Sequence, residues 1–109
     1  MTKYAPDNWV VLKISPKNKA PHYRVLGGWS GGYLYGDSWR MNSGIVSVEE
    51  TEDEWVFFGA SGSQYVCWKS AYTVRMNIAG VIRTYEELYP GLIEVMPDDT
   101  DWKKLFPAP

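Results

Sequence analysis

Apolar residues fall in short, dense runs separated by polar and glycine-rich breaks, a pattern that suits strands better than long helices. Trp9-Val10-Val11-Leu12-Lys13-Ile14 is the most continuous run and reads as a central strand. Residues 15 to 21 break it with Pro16 and Pro21, in a basic loop suited to solvent. His22 to Leu26 resumes a strand with alternating character and leads into a glycine-rich segment. Further strands are expected at residues 38 to 41, 44 to 50, 55 to 58 and 64 to 68. The acidic run Glu49 to Glu54 and the Gly59 to Ser63 segment supply the turns.

The last third supports two readings. Val74, Ile78, Val81, Ile82, Tyr85, Leu88 and Tyr89 have helical spacing, favouring one helix that stops at Pro90-Gly91. Alternatively, residues 72 to 83 are extended and a short helix starts at Thr84, with Thr84 and Glu87 as a capping box. Both place a helix over residues 84 to 89. Residues 91 to 96 read as a final strand, and residues 97 to 109 as a loosely docked tail anchored by Trp102 and Phe106. The expected fold is α+β and mainly β: a small antiparallel sheet or a partly open SH3-like barrel with one C-terminal helix.

Composition sharpens this picture. At 109 residues the chain makes one domain, residues 1 to 109. Its aromatic content of 16%, with six Trp and eight Tyr, favours pleated surfaces. The lone Cys67 excludes an internal disulfide, and the lone His22 leaves no Cys/His zinc cluster, so neither metal nor cofactor is expected. No apolar h-region opens the chain, and no apolar stretch approaches the ~20 residues that span a bilayer. A reduced, cytoplasmic protein with no membrane partner is the simplest reading.

Net charge is −2, unevenly spread. Residues 1 to 48 carry six Lys/Arg against Asp7 and Asp37, whereas residues 49 to 109 carry five against eleven acidic residues. That balance argues against a duplex-DNA partner and leaves room for a small anion held by arginine.

The segment from Gly27 to Gly44 is the richest in candidate chemistry. Trp29, Tyr33, Tyr35 and Trp39 offer flat faces for stacking, worth ~1–3 kcal/mol per base-like group. Ser30, Arg40 and Asn42 offer hydrogen bonds, and alternation puts Arg40 and Asn42 opposite Met41. Alternation also sends some of the aromatics to the core, and the sequence leaves open which. A Gly-x-Ser-Gly turn followed by Arg-Met-Asn recurs at residues 59 to 77, at different spacings, adding Ser61, Arg75 and Asn77. Two such sets would grip two anionic groups through backbone N–H groups and planar guanidinium forks. Chance recurrence in a Gly/Ser-rich chain is the competing explanation.

Catalytic motifs are weak. Gly28-Trp29-Ser30-Gly31-Gly32 matches a nucleophile elbow only formally, because the elbow needs a strand-to-helix turn in a large α/β sheet. Cys67, between Val66 and Trp68, reads as a core or half-buried thiol. No phosphate-binding P-loop occurs, and nothing in the spacing supports a carboxylate pair such as Asp37 with Glu94. No catalytic residue is therefore expected.

The run Trp-Ser-Gly-Gly-Tyr-Leu-x-Gly-Asp-Ser-Trp-Arg-x-Asn-Ser-Gly-Ile within residues 27 to 45, with Gly-x-Ser-Gly-Ser-x-Tyr at 59 to 65, resembles motifs in small proteins of tailed bacteriophages. The resemblance spans about residues 8 to 77 and implies no activity of its own. Small phage proteins of this size frequently counter host defence, which suggests the cytoplasm of an infected bacterium. The leading expectation is a non-enzymatic domain that sequesters a small anionic, nucleotide-type immune signal, in a site that a homo-oligomer can share between chains. Second comes a protein-binding inhibitor that presents the acidic 49 to 54 segment to a host defence protein, and third a small enzyme of unknown class.

Overall fold

The computed structural model describes residues 2–32 and 36–109. Eight strands run in the order β1 (Lys3–Tyr4), β2 (Asn8–Ile14), β3 (His22–Gly32), β4 (Gly36–Met41), β5 (Ile45–Glu50), β6 (Glu54–Gly59), β7 (Gln64–Trp68) and β8 (Ile93–Val95). Helix α1 (Met76–Leu88) precedes β8, and a one-turn helix α2 (Trp102–Leu105) follows it. The fold is α+β and mainly β, with its strands divided between two four-stranded sheets and no closed barrel among the described residues. The sheets are ordered β1-β7-β6-β5 and β4-β3-β2-β8. Every strand pair in them is antiparallel except β1 with β7.

Strand β2 explains the layering. Trp9, Val10, Val11 and Leu12 are all buried, and successive strand residues point to opposite faces. Trp9 and Val11 enter the core between the sheets, where they meet Val25, Phe57, Tyr65 and Cys67. Val10 and Leu12 face the other way, packing with Leu26 against Ile78 and Ile82 of α1. The order is therefore sheet, sheet, helix, and both cores share β2 within one domain.

Aromatic contacts fill the inter-sheet core. The Trp9 ring lies 5.4 Å from Phe57 and 4.7 Å from Tyr72, the latter edge-on. Its buried indole N–H donates to the Trp68 carbonyl at 2.7 Å. Tyr72 stitches the layer, since its hydroxyl accepts from the Val11 N–H and donates to the Met96 carbonyl. Burial pushes its pKa up to about 12.

Residues 97 to 109 enter the same core. Trp102 is 1% exposed and Phe106 7% exposed; Trp102 packs 5.8 Å from Phe57, and Phe106 packs edge-on against Tyr23. Asp101 caps α2 by accepting from the Lys103 N–H, and the Val48 N–H donates to the Pro107 carbonyl. Glu50 pairs with both Lys69 and Lys103.

Helix α1 starts at Met76, so the extended reading of residues 72 to 83 fails. Thr84 does not cap it. Its hydroxyl donates to the Gly80 carbonyl inside the helix, because the apolar stripe from Ile78 to Ile82 already draws the preceding turn onto the sheet. The stop occurs where expected: Tyr89 is the C-cap, and Gly91 takes a φ of +74° that other residues rarely adopt.

The N-terminal turn of α1 is fixed by a buried amide pair. Asn77 donates to Asn8 Oδ1 at 2.7 Å, and Asn8 donates back to Asn77 Oδ1 at 3.1 Å. Asn8 also reaches the Thr73 carbonyl, and Asn77 reaches the Ser30 hydroxyl. Gly28 makes room for this cluster, since a Cβ there would lie 2.5 Å from Asn77 Nδ2.

Two glycine substitutions should therefore have opposite signs. Gly28→Ala should destabilise the fold by about 1–3 kcal/mol through overpacking. Gly80→Ala, in a helix position with open space around it, should stabilise by about 0.5–1 kcal/mol. Urea unfolding of both variants checks this, and equal effects would refute it. Trp102→Ala should cost about 3–5 kcal/mol in the same measurement; a change below 1 kcal/mol would show that α2 only lies against the surface.

Candidate functional site

The β3–β4 hairpin carries the glycine- and aromatic-rich segment, but its pairing divides the candidates between two faces. Trp29 opposes Ser38, Gly27 opposes Arg40, and Gly28 opposes Trp39. Opposed residues share a face, so Trp29, Ser38 and Arg40 lie on one side and Trp39 on the other. On the first side the Trp29 ring meets Tyr4 edge-on at 6.3 Å, and its indole N–H donates to the Ala5 carbonyl at 3.1 Å. The Arg40 guanidinium sits 4.5 Å above the Tyr4 ring. Lys3 joins these residues in a groove of about 460 Å³. Trp29 and Arg40 thus fasten the chain entering β2, which limits what they can offer a ligand.

The other predicted positions go elsewhere. Asn42 is buried, its Oδ1 accepting from the Val25 N–H at 2.9 Å, so it braces the end of β4. Asn77 belongs to the buried amide cluster, and Ser30 contributes its hydroxyl to it and its N–H to Asp7. Ser61 lies in the β6–β7 turn, where its N–H donates to the Ser43 hydroxyl. Arg75 is the exposed N-cap of α1. Tyr33 and Tyr35 lie outside the described residues.

No structural repeat underlies the twice-occurring motif. Gly28 to Gly31 continues strand β3, whereas Gly59 to Gly62 forms a turn. Arg40-Met41 ends a strand, whereas Arg75-Met76 begins a helix. Tertiary packing sets the backbone of these short Gly/Ser stretches.

A different constellation forms on the α1 side of the second sheet. His22 and Arg24 alternate with Tyr23 and Val25 along β3, and they oppose Ile14 and Leu12 of β2. They consequently point toward α1, beyond the part of the sheet that Ile78 and Ile82 cover. With Lys17 from the preceding loop and Tyr85 and Tyr89 from the last turns of α1, they line a cleft of about 480 Å³. Ile14, Met41, Leu92 and Ile93 supply its apolar lining. The two tyrosine rings are nearly parallel, at 23° and 6.2 Å between centres.

The electrostatics of the cleft are one-signed. Arg24 Nε donates to His22 Nε2 at 3.3 Å. Burial first, then the charges of Arg24 and Lys19, hold the His22 pKa below 6.5. No carboxylate lines the cleft, and the ion pairs among the described residues are those of Glu50 with Lys69 and Lys103. Lys17 and Arg24 therefore remain available to an anion. The polar part of the lining consists of cationic, imidazole and phenol groups, which can hold an anionic ligand.

Both halves of this cleft have faint sequence signals: period-two alternation in His22 to Leu26, and an i, i+4 tyrosine pair at 85 and 89. Their meeting had none. Trp39 faces the same side of the sheet, 47% exposed, over an adjoining groove of about 670 Å³ that shares Tyr85 and Tyr89. Among the described residues no helix is long and apolar enough to cross a membrane.

Compared with known proteins, the chain matches no family model, no curated protein and no solved structure.

Cys67 is fully buried, and burial followed by the Glu54 charge pushes its thiol well above the ordinary range. It should resist a thiol-reactive dye in the native protein at pH 8 and react fully in denaturant. Rapid native labelling would show that the inter-sheet core opens readily.

Proposed function

We propose that this chain is a non-enzymatic binding domain for a small anion bearing a planar group, of nucleotide type. The observation that carries the reading is the cleft in which Lys17 and Arg24, free of carboxylate partners, face the stacked pair Tyr85 and Tyr89. Cations attract phosphate, and aromatic faces accept a base by stacking. The cleft volume lies within the range usual for small-molecule sites. Together with the phage-like motif of residues 27 to 45, this favours sequestration of a nucleotide-derived immune signal in an infected bacterial cytoplasm. The proposed site thus differs from the hairpin face, where Trp29 and Arg40 have structural partners.

Calorimetric titration with nucleoside phosphates, cyclic di- and trinucleotides and ADP-ribose tests this reading. Binding should be accompanied by recovery of unaltered ligand after heat denaturation. Arg24→Ala and Tyr89→Ala should each weaken it about tenfold or more, the equivalent of ~1.4 kcal/mol. Arg40→Ala, on the other face, should leave affinity within about twofold. No heat from any of these compounds overturns the proposal; loss of binding in Arg40→Ala alone moves the site to the hairpin groove.

A further inference from the structure

Lys17, His22 and Arg24 come from one short stretch of chain and converge on one side of the cleft, while the α1 side presents tyrosines. Positive charge is thus concentrated in one cleft with no carboxylate in its lining, which suits a multiply charged group better than a singly charged one. Arg24 commits its Nε to His22 and keeps its terminal nitrogens for a ligand. His22 accepts that bond at Nε2, so its ring proton sits on Nδ1 and the imidazole is neutral in this arrangement. Protonation would turn Nε2 into a donor. The bond from Arg24 would then break, and both side chains could donate to an anion between them.

We infer that the cleft recognises the terminal phosphate monoester of a nucleotide, and that His22 takes up a proton as the dianion enters. The inference rests on the binding function proposed above and specifies its ligand. A phosphate monoester loses its second proton near pH 6 and then carries two negative charges, whereas a diester carries one. Lys17, Arg24 and an imidazolium together match the former.

The groups around His22 set the direction of the linkage. From the loop come Lys17 and Lys19, from its own strand Arg24, and from α1 the uncharged phenols Tyr85 and Tyr89; β2, β4 and β8 contribute Ile14, Met41 and Ile93. In the free protein partial burial first, then the charges of Arg24 and Lys19, disfavour the imidazolium. A bound dianion reverses the balance, so the His22 pKa is higher in the complex than in the free protein. Affinity contributed by the imidazolium is therefore present below the complex's pKa and is lost as pH rises through it.

The chain has one histidine, so its ring resonances are unambiguous in an NMR pH titration. The probes are adenosine 5′-monophosphate, the diester 3′,5′-cyclic adenosine monophosphate, and adenosine. With saturating monophosphate the His22 midpoint should rise by about one unit or more. Near pH 6 the monophosphate should bind at least tenfold tighter than the cyclic diester or adenosine. His22→Gln should retain binding at pH 8 while losing the extra affinity gained at pH 6. Monophosphate binding with an unmoved His22 midpoint, or equal affinity for the cyclic diester, overturns this inference and leaves the binding function standing. If none of these probes nor any ligand of the calorimetric series binds, both fall.

Discussion

Four consecutive residues of β2, Trp9 to Leu12, are almost wholly removed from water, and a strand can achieve that only with an apolar layer on each face. The remaining architecture answers that demand. One face receives the second sheet through Phe57, Tyr65 and Cys67, closed at its margin by Trp102 and Phe106. The other receives α1 through Ile78 and Ile82. Burial also obliges polar groups to pair inside, which is why the Trp9 indole finds the Trp68 carbonyl and the Tyr72 hydroxyl bridges Val11 and Met96.

The candidate site is a by-product of how the helix answers the same demand. Asn77 locks the first turn of α1 against Asn8 and Ser30, and the apolar stripe then covers only part of the sheet. Beyond it the helix ends at Leu88, while β3 runs on in the other direction to His22. Side chains of that uncovered end cannot be apolar throughout without exposing a large hydrophobic patch. Arg24 and His22 occupy it, and Tyr85 and Tyr89 form its far wall. A rigid sheet and a helix pinned at one end hold the lining residues in place, as a preorganised site requires.

The glycine- and aromatic-rich hairpin acquires a different meaning in this frame. Gly28 admits Asn77, and Gly27 lies against Pro6, where a Cβ would come within 2.9 Å. Trp29 and Arg40 secure Tyr4 and Ala5. At Gly27, Gly28, Trp29 and Arg40 the unusual composition serves close approach between segments far apart in the chain.

Period-two runs, prolines, glycine turns and the helical stripe act over a few residues, and from them the sequence by itself determined a mainly β, α+β domain, most strand positions and the helix stop near Gly91. Tertiary structure alone decided three things. The strands were partitioned into two sheets, because sheet order depends on pairings such as Lys3 with Gln64 that leave no local trace. The start of α1 was set by the Asn8–Asn77 pair, 69 residues apart. The cleft formed because Lys17, His22 and Arg24 meet Tyr85 and Tyr89 only once the helix has docked, so no local pattern could announce it.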